Sequence, residues 1–225
     1  MSKIHPIHEK FSIALLVAMN SGFVDAYTFQ YQDQRFASLQ SGNVIQAAVN
    51  FSQGNMHDAV TFVWPIICFA LGVSFNTIIT HFFPAKRLSI AQHSVLCQLI
   101  GITLISLLGS HLSETFFITM TSFIMAIQAD TFTKMRGLPY GSVMATGNIR
   151  NIGKHVADYL LNHTQESFDK ARLFFSVVMA FLIGALLSGF LSQILDSLSL
   201  LGSSLILLII YLSLFDNKSI HAFMP

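Results

Sequence analysis

Apolar residues in this chain fall in long runs at about 11–30, 59–83, 88–112, 113–133, 173–195 and 197–215. Each run is close to the roughly 20 residues that a helix needs to cross a hydrocarbon core of about 30 Å. An open sheet cannot satisfy its backbone in lipid, so the pattern predicts an all-α polytopic membrane protein with about six transmembrane helices. Two shorter segments, 42–52 and 147–162, follow the first and fourth runs. The first is too short to cross. The second carries Arg150, Lys154, His155 and Asp158, which is too polar for a lipid-facing span. Both read as re-entrant or half helices.

Basic residues give the orientation. If neither short segment crosses and the N-terminus is cytoplasmic, eleven of the twelve Lys and Arg residues face the cytoplasm and only Arg35 faces outward. If both short segments cross, Lys86, Arg87, Lys134 and Arg136 move outside and the ratio falls to 7 to 5. The positive-inside bias prefers six crossings with both termini cytoplasmic. The apolar stretch after Lys3 and Lys10 continues through Tyr27 and is followed by further spans, so it reads as a retained first span and not as a secretion signal.

A short pattern occurs twice. Asp25, Tyr27 and Thr28 precede Ser41-Gly42-Asn43-Val44, and Asp130, Phe132 and Thr133 precede Thr146-Gly147-Asn148-Ile149. The offset is constant, 130 − 25 = 105 and 147 − 42 = 105. Four paired positions are identical and three are similar. One membrane domain, 1–225, therefore divides into repeat one at about 10–112 and repeat two at about 113–216. Three crossings per repeat is an odd number, so the copies are expected to be inverted relative to each other.

Ser41 and Thr146 read as N-caps, and Gly42 and Gly147 as points of close backbone approach. Half-helices starting there would aim free N–H groups and positive dipole ends at a site between the repeats. With Asn43 and Asn148 this makes a candidate mid-membrane site for an anion or polar solute. Asp25 and Asp130 are carboxylates inside apolar runs, where ionisable residues face a cavity or partner. They could carry protons, bind a cation or hold the half-helices through their N–H groups; Gln128 adds an amide. Gly72 with Ser74, and Gly184 with Ser188 and Gly189, read as helix-packing positions. Cys68 and Cys97 read as packed thiols, and the nine His residues show no ligand spacing.

Gly22-Phe23-Val24-Asp25-Ala26, then Ser41-Gly42-Asn43 and Thr146-Gly147-Asn148, resembles the YoaK-like family of small bacterial inner-membrane proteins, over about residues 11–215. The resemblance implies a bacterial plasma-membrane protein and supplies no substrate. The family usually has Thr at the place of Ser41. It commonly has Gln-Asn-Ala where this chain has Gln128-Ala129-Asp130, a one-residue shift that rotates a helical side chain by about 100°.

Net charge is +1 with 10% charged residues and 53% hydrophobic residues, and no basic stripe points to nucleic acid. No catalytic set, metal cluster or phosphate loop stands out, so neither an enzyme nor a cofactor is expected. The partners expected are the lipid bilayer, an unidentified small solute and, compatibly, further copies of the chain. The leading reading is a secondary transporter or permeation protein for a small polar or anionic solute. A passive channel and a non-transporting scaffold using 150–172 are the alternatives. Cysteines introduced at Asn55 and Ala85 are expected on opposite sides of the membrane; labelling of both by an impermeant reagent from one side refutes the six-crossing layout.

Overall fold

The computed structural model of the chain describes residues 5–82 and 89–215. Its α-helices are α1 (Phe11–Tyr31), α2 (Gln40–Ser52), α3 (Met56–Phe82), α4 (Ile90–Leu108), α5 (Glu114–Thr131), α6 (Ala145–Asn162), α7 (Gln165–Leu195) and α8 (Leu201–Ser213). The sole strands among the described residues, β1 (Lys134–Met135) and β2 (Leu138–Pro139), form a small antiparallel hairpin. Arg136 and Gly137 make its turn, both at positive φ. Lys3, Lys86, Arg87 and Lys218, which enter the charge count, lie outside the described residues.

Four stretches are long and apolar enough to cross a membrane by length and composition, namely Phe11–Tyr31, Met56–Phe82, Ile90–His111 and Gln165–Ser213. The six runs of the sequence become four for two reasons. α7 and α8 are joined by a single short 3-10 segment, Asp196–Leu200, into one continuous apolar stretch. α5 carries Glu114, Gln128 and Asp130 within 18 residues, which dilutes its apolar character. The protein is thus an all-α chain compatible with embedding in a membrane.

α1 packs against α7 and α8, α5 against α3 and α4, α2 on α3, α6 on α7, and α4 against α8. Exchanging α1–α4 with α5–α8 maps this list of partners onto itself. The core runs along α1, α4, α5 and α8 through Val17, Val24, Val95, Ile102, Ile118, Met125 and Ile210, all at 0% exposure. The outer faces of α3 and α7 present Trp64, Leu71, Phe75, Leu182, Leu186 and Phe190 outward. An apolar belt of this extent is unfavourable in water and suits lipid.

Close helix approach depends on glycine. A Cβ on Gly22 would lie 2.0 Å from the Phe181 carbonyl oxygen, and one on Gly184 would lie 1.9 Å from that of Met19. α1 and α7 therefore touch backbone to backbone at two levels. Gly72 does the same for α3 against α5, with Phe123 O at 2.4 Å from its built Cβ. Small residues at such crossings let dispersion contacts hold helices together in lipid. Gly189 and Ser74 do not serve in this way, because Gly189 faces open space and Ser74 is exposed and bonds back to Ala70 O.

Residues 165–172 of the polar segment 150–172 are the first turns of α7. Gln, Glu, Lys, Ala and Arg favour helix there, and Lys170 pairs with Glu166 one turn away at 2.5 Å. His163, at φ 51°, turns the chain between α6 and α7. Cys97 is exposed on α4 and is not packed, whereas Cys68 is half-buried; both are free thiols.

Gly184→Ala and Gly22→Ala are each expected to destabilise the protein by roughly 1–3 kcal/mol, because added volume meets a backbone that cannot yield. Gly189→Ala, on the same helix as Gly184, is expected to be neutral or slightly stabilising. Thermal unfolding in detergent checks the contrast.

Candidate functional site

Two non-helical stretches enter the protein interior, one between α1 and α2 and the other between α5 and α6. In the first, Gln32, Arg35, Ala37 and Ser38 are buried; in the second, Tyr140, Ser142 and Val143 are. Buried irregular backbone must find hydrogen-bond partners, and named side chains supply them.

Asp25 and Thr28, one turn apart on α1, hold the first stretch. Asp25 Oδ1 accepts from Ser38 N at 2.8 Å, and its Oδ2 accepts from Ser38 Oγ at 2.6 Å. Thr28 Oγ1 accepts from Ala37 N at 3.2 Å. Asp33 and Gln34 reverse the chain at φ 47° and 59°. The Arg35 guanidinium, 3% exposed, donates through Nη2 to Asp33 at 2.8 Å and to Glu114 at the start of α5 at 3.2 Å.

Asn43 and Asn148 act as paired clasps. Asn43 Oδ1 accepts from Phe36 N at 2.9 Å, and its Nδ2 donates to Phe36 O at 2.7 Å. Asn148 Oδ1 accepts from Gly141 N at 3.1 Å, and its Nδ2 donates to Gly141 O at 2.8 Å. The clasped residues keep the repeat spacing, 141 − 36 = 105. Each amide thus closes the loop that leads into its own helix.

The two loops meet. Ser38 Oγ lies 3.3 Å from Val143 O, and 143 − 38 is again 105. Beside this contact, Ser21 Oγ donates to Ser142 O at 2.8 Å. Gln128 Nε2 donates to Ser21 Oγ at 2.6 Å, and its Oε1 accepts from Asn20 Nδ2 at 2.8 Å. Ser203 Oγ donates to Asn20 Oδ1 at 2.7 Å. Asn20, Ser21, Gln128 and Ser203 are all at 0% exposure. A connected polar network therefore crosses the apolar core from α8 through α1 and α5 to the loop junction.

The predicted site residues separate into groups. Asp25 and Gln128 flank the junction. Asn43 and Asn148 are buried in their clasps, Gly42 packs against the Phe36 ring, and Ser41, Thr146 and Gly147 are exposed. The N-cap assignment is corrected: α2 and α6 begin one residue before Ser41 and Thr146, and the cap positions are Leu39 and Met144 without a side-chain cap. The clasping asparagines hold the turns that Ser and Thr were expected to cap. Asp130 differs from Asp25: Val143 stands where the first half has Ser38, and Asp130 turns instead to Asn76 on α3, whose Nδ2 donates to it at 2.7 Å. Asn20, Ser21, Ser38, Ser142, Ser203 and Asn76 were not among the predicted site residues. Adjacent Asn20 and Ser21 inside an apolar run were the legible signal.

These features define a helical protein of membrane character with a polar interior. Residues 13–213 match the family described as "Protein of unknown function (DUF1275)". The chain belongs to that family. No curated protein matches the chain and no solved structure does.

Asn43→Ala and Asn148→Ala are each expected to cost roughly 1–3 kcal/mol by leaving a buried N–H and C=O unpaired. Lower unfolding temperatures for both, against an unchanged Ser41→Ala control, check the clasp.

Proposed function

We propose that this protein is a secondary transporter or permeation protein of the bacterial plasma membrane, carrying a small polar or anionic solute past the junction of its two buried loops. The observation that carries the reading is the contact of Ser38 with Val143 beside Asp25 and the Gln128 network. Irregular backbone at membrane depth is tolerated where protein buries it or where it borders a polar cavity. Discontinuous segments meeting between repeats are where solute sites of secondary transporters form. The YoaK-like resemblance accords with the family match and with this location.

The fold supports six crossings in two inverted repeats. Its packing partners are preserved under exchange of halves. Its polar ties join helix ends assigned to the same face. Arg35 reaches Glu114 at 3.2 Å, both outward in the six-crossing layout. Gly137 N donates to Glu9 Oε2 at 2.8 Å, both cytoplasmic. With eight crossings, each of these pairs would be split across a bilayer of about 30 Å.

The halves divide the work in this reading. Asp25 neutralises the start of α2 by accepting from Ser38. Among the described residues no carboxylate plays that part for α6, whose start exposes Thr146, Gly147 and, one turn on, Arg150. The α6 end thus keeps its positive potential for an anionic group.

The test needs no known substrate. In a Cys68→Ala/Cys97→Ala background, Ser38→Cys is expected to react with an impermeant thiol reagent from either side of sealed vesicles, as a route open to each face requires. A disulfide or mercury bridge to Val143→Cys is expected to block that access. Failure of Ser38→Cys to react from either side, in protein that remains folded, leaves a scaffold as the reading.

A further inference from the structure

A second polar cluster, separate from the loop junction, lies where α3, α4 and α5 meet. Asp130 Oδ2 accepts from Asn76 Nδ2 at 2.7 Å and from Thr77 Oγ1 at 3.4 Å. Asn76 Nδ2 also lies 3.3 Å from Thr131 Oγ1, which shares a 2.6 Å hydrogen bond with Ser94 Oγ. The group holds one carboxylate with hydroxyl oxygens, and Asp130 forms no ion pair among the described residues. The Asn76 amide nitrogen donates to Asp130 and Thr131, so the oxygens that face one another here are those of Asp130, Thr131 and Ser94. Asp130 and Thr131 are also the last two residues of α5. The free carbonyls and negative dipole end of that helix add to the carboxylate's field. Hard oxygen ligands around a single negative charge suit a small hard cation.

The independent observation is Gln98. Its side chain is at 0% exposure, and neither its amide nitrogen nor its amide oxygen has a partner. Two contacts give the register of the antiparallel α4–α5 pair. Ser94 meets Thr131, and Gly101 faces Ile124, whose Cδ1 lies 2.6 Å from a built Cβ. Since 94 + 131 = 101 + 124, Gln98 lies level with Ile127. It shares a helix face with Ser94, about 6 Å further along the axis. A buried amide without partners is unfavourable in an apolar interior, and the polar side chain one turn away on its own face is Ser94, which bonds to Thr131.

We propose that this junction binds a monovalent alkali-metal cation, with Asp130 as its charge, Thr131 and Ser94 as oxygen ligands, and Gln98 as the inner polar group that the ion or its hydration shell satisfies. Asp130 follows α5 toward the basic β1–β2 hairpin, so the site opens on the face assigned to the cytoplasm. As the coupling-ion site of the transporter this deepens the proposed function and rests on it for its purpose. Binding itself is read at equilibrium without flux, so either proposal fails without the other.

The experiment is binding of ²²Na⁺ to the purified full chain in lipid nanodiscs at constant ionic strength, with choline replacing sodium. Saturable binding is expected for the natural chain, weakened about tenfold or more by Asp130→Asn and by Gln98→Leu. Asp58→Asn, at an exposed carboxylate in the first turn of α3, is expected to bind normally. Gel filtration establishes that each variant is folded, and Thr131→Val stands in if Asp130→Asn is not. No saturable binding by the natural chain overturns the proposal. So does undiminished binding in folded Asp130→Asn, or Gln98→Leu that binds sodium normally while gaining thermal stability.

Discussion

The structure depends on one constraint, that main chain leaving a helix inside an apolar interior must still have every polar group paired. Asn43 and Asn148 meet it with the same bidentate geometry, each amide taking both the N–H and the C=O of a residue seven positions earlier. Once those loops are closed, α2 and α6 can start inside the protein, and Ser38 can reach Val143. Asparagine suits the position because one amide carries a donor and an acceptor on the same plane. Aspartate would lack the donor, and leucine would leave both backbone groups unpaired.

The second organising interaction is close contact of helix backbones. Gly22 and Gly184 bring α1 and α7 together, and Gly72 brings α3 to α5. These crossings make the long outer helices of each half pack on the first helix of the other half. The halves are therefore interlocked, and the polar network of Asn20, Ser21, Gln128 and Ser203 is enclosed between them. Burial of that network is acceptable energetically because its amides are satisfied by neighbouring side chains and carbonyls.

The two halves carry a similar pattern 105 residues apart and differ within it. Position 38 is Ser and its counterpart 143 is Val. Asp25 is tied to its own loop through Ser38, whereas Asp130, one residue before the end of α5, faces α3. Gln128, two residues before Asp130, points the other way, into the centre, as a rotation of about 200° between them requires.

Much of the architecture was legible along the chain. Run lengths located the helices to within a few residues, save for the polar first turns of α7, since apolar length is a local property. The 105-residue offset marked both asparagine positions as paired, and glycines in apolar runs marked two of the helix crossings. Other features were not readable, because the same residue types serve different ends. Asn43 could line a cavity or clasp a loop, and only the partner at Phe36 decides. Ser41 resembled a cap until the chain path gave that position to Leu39. The amino-acid order by itself determined the helical membrane character and the repeated motif, which follow from hydrophobic length and spacing. The tertiary structure alone decided which polar side chains meet, because hydrogen bonds between Ser38, Gln128, Asn76 and their partners join residues far apart in sequence, and their pairing follows from how the helices pack.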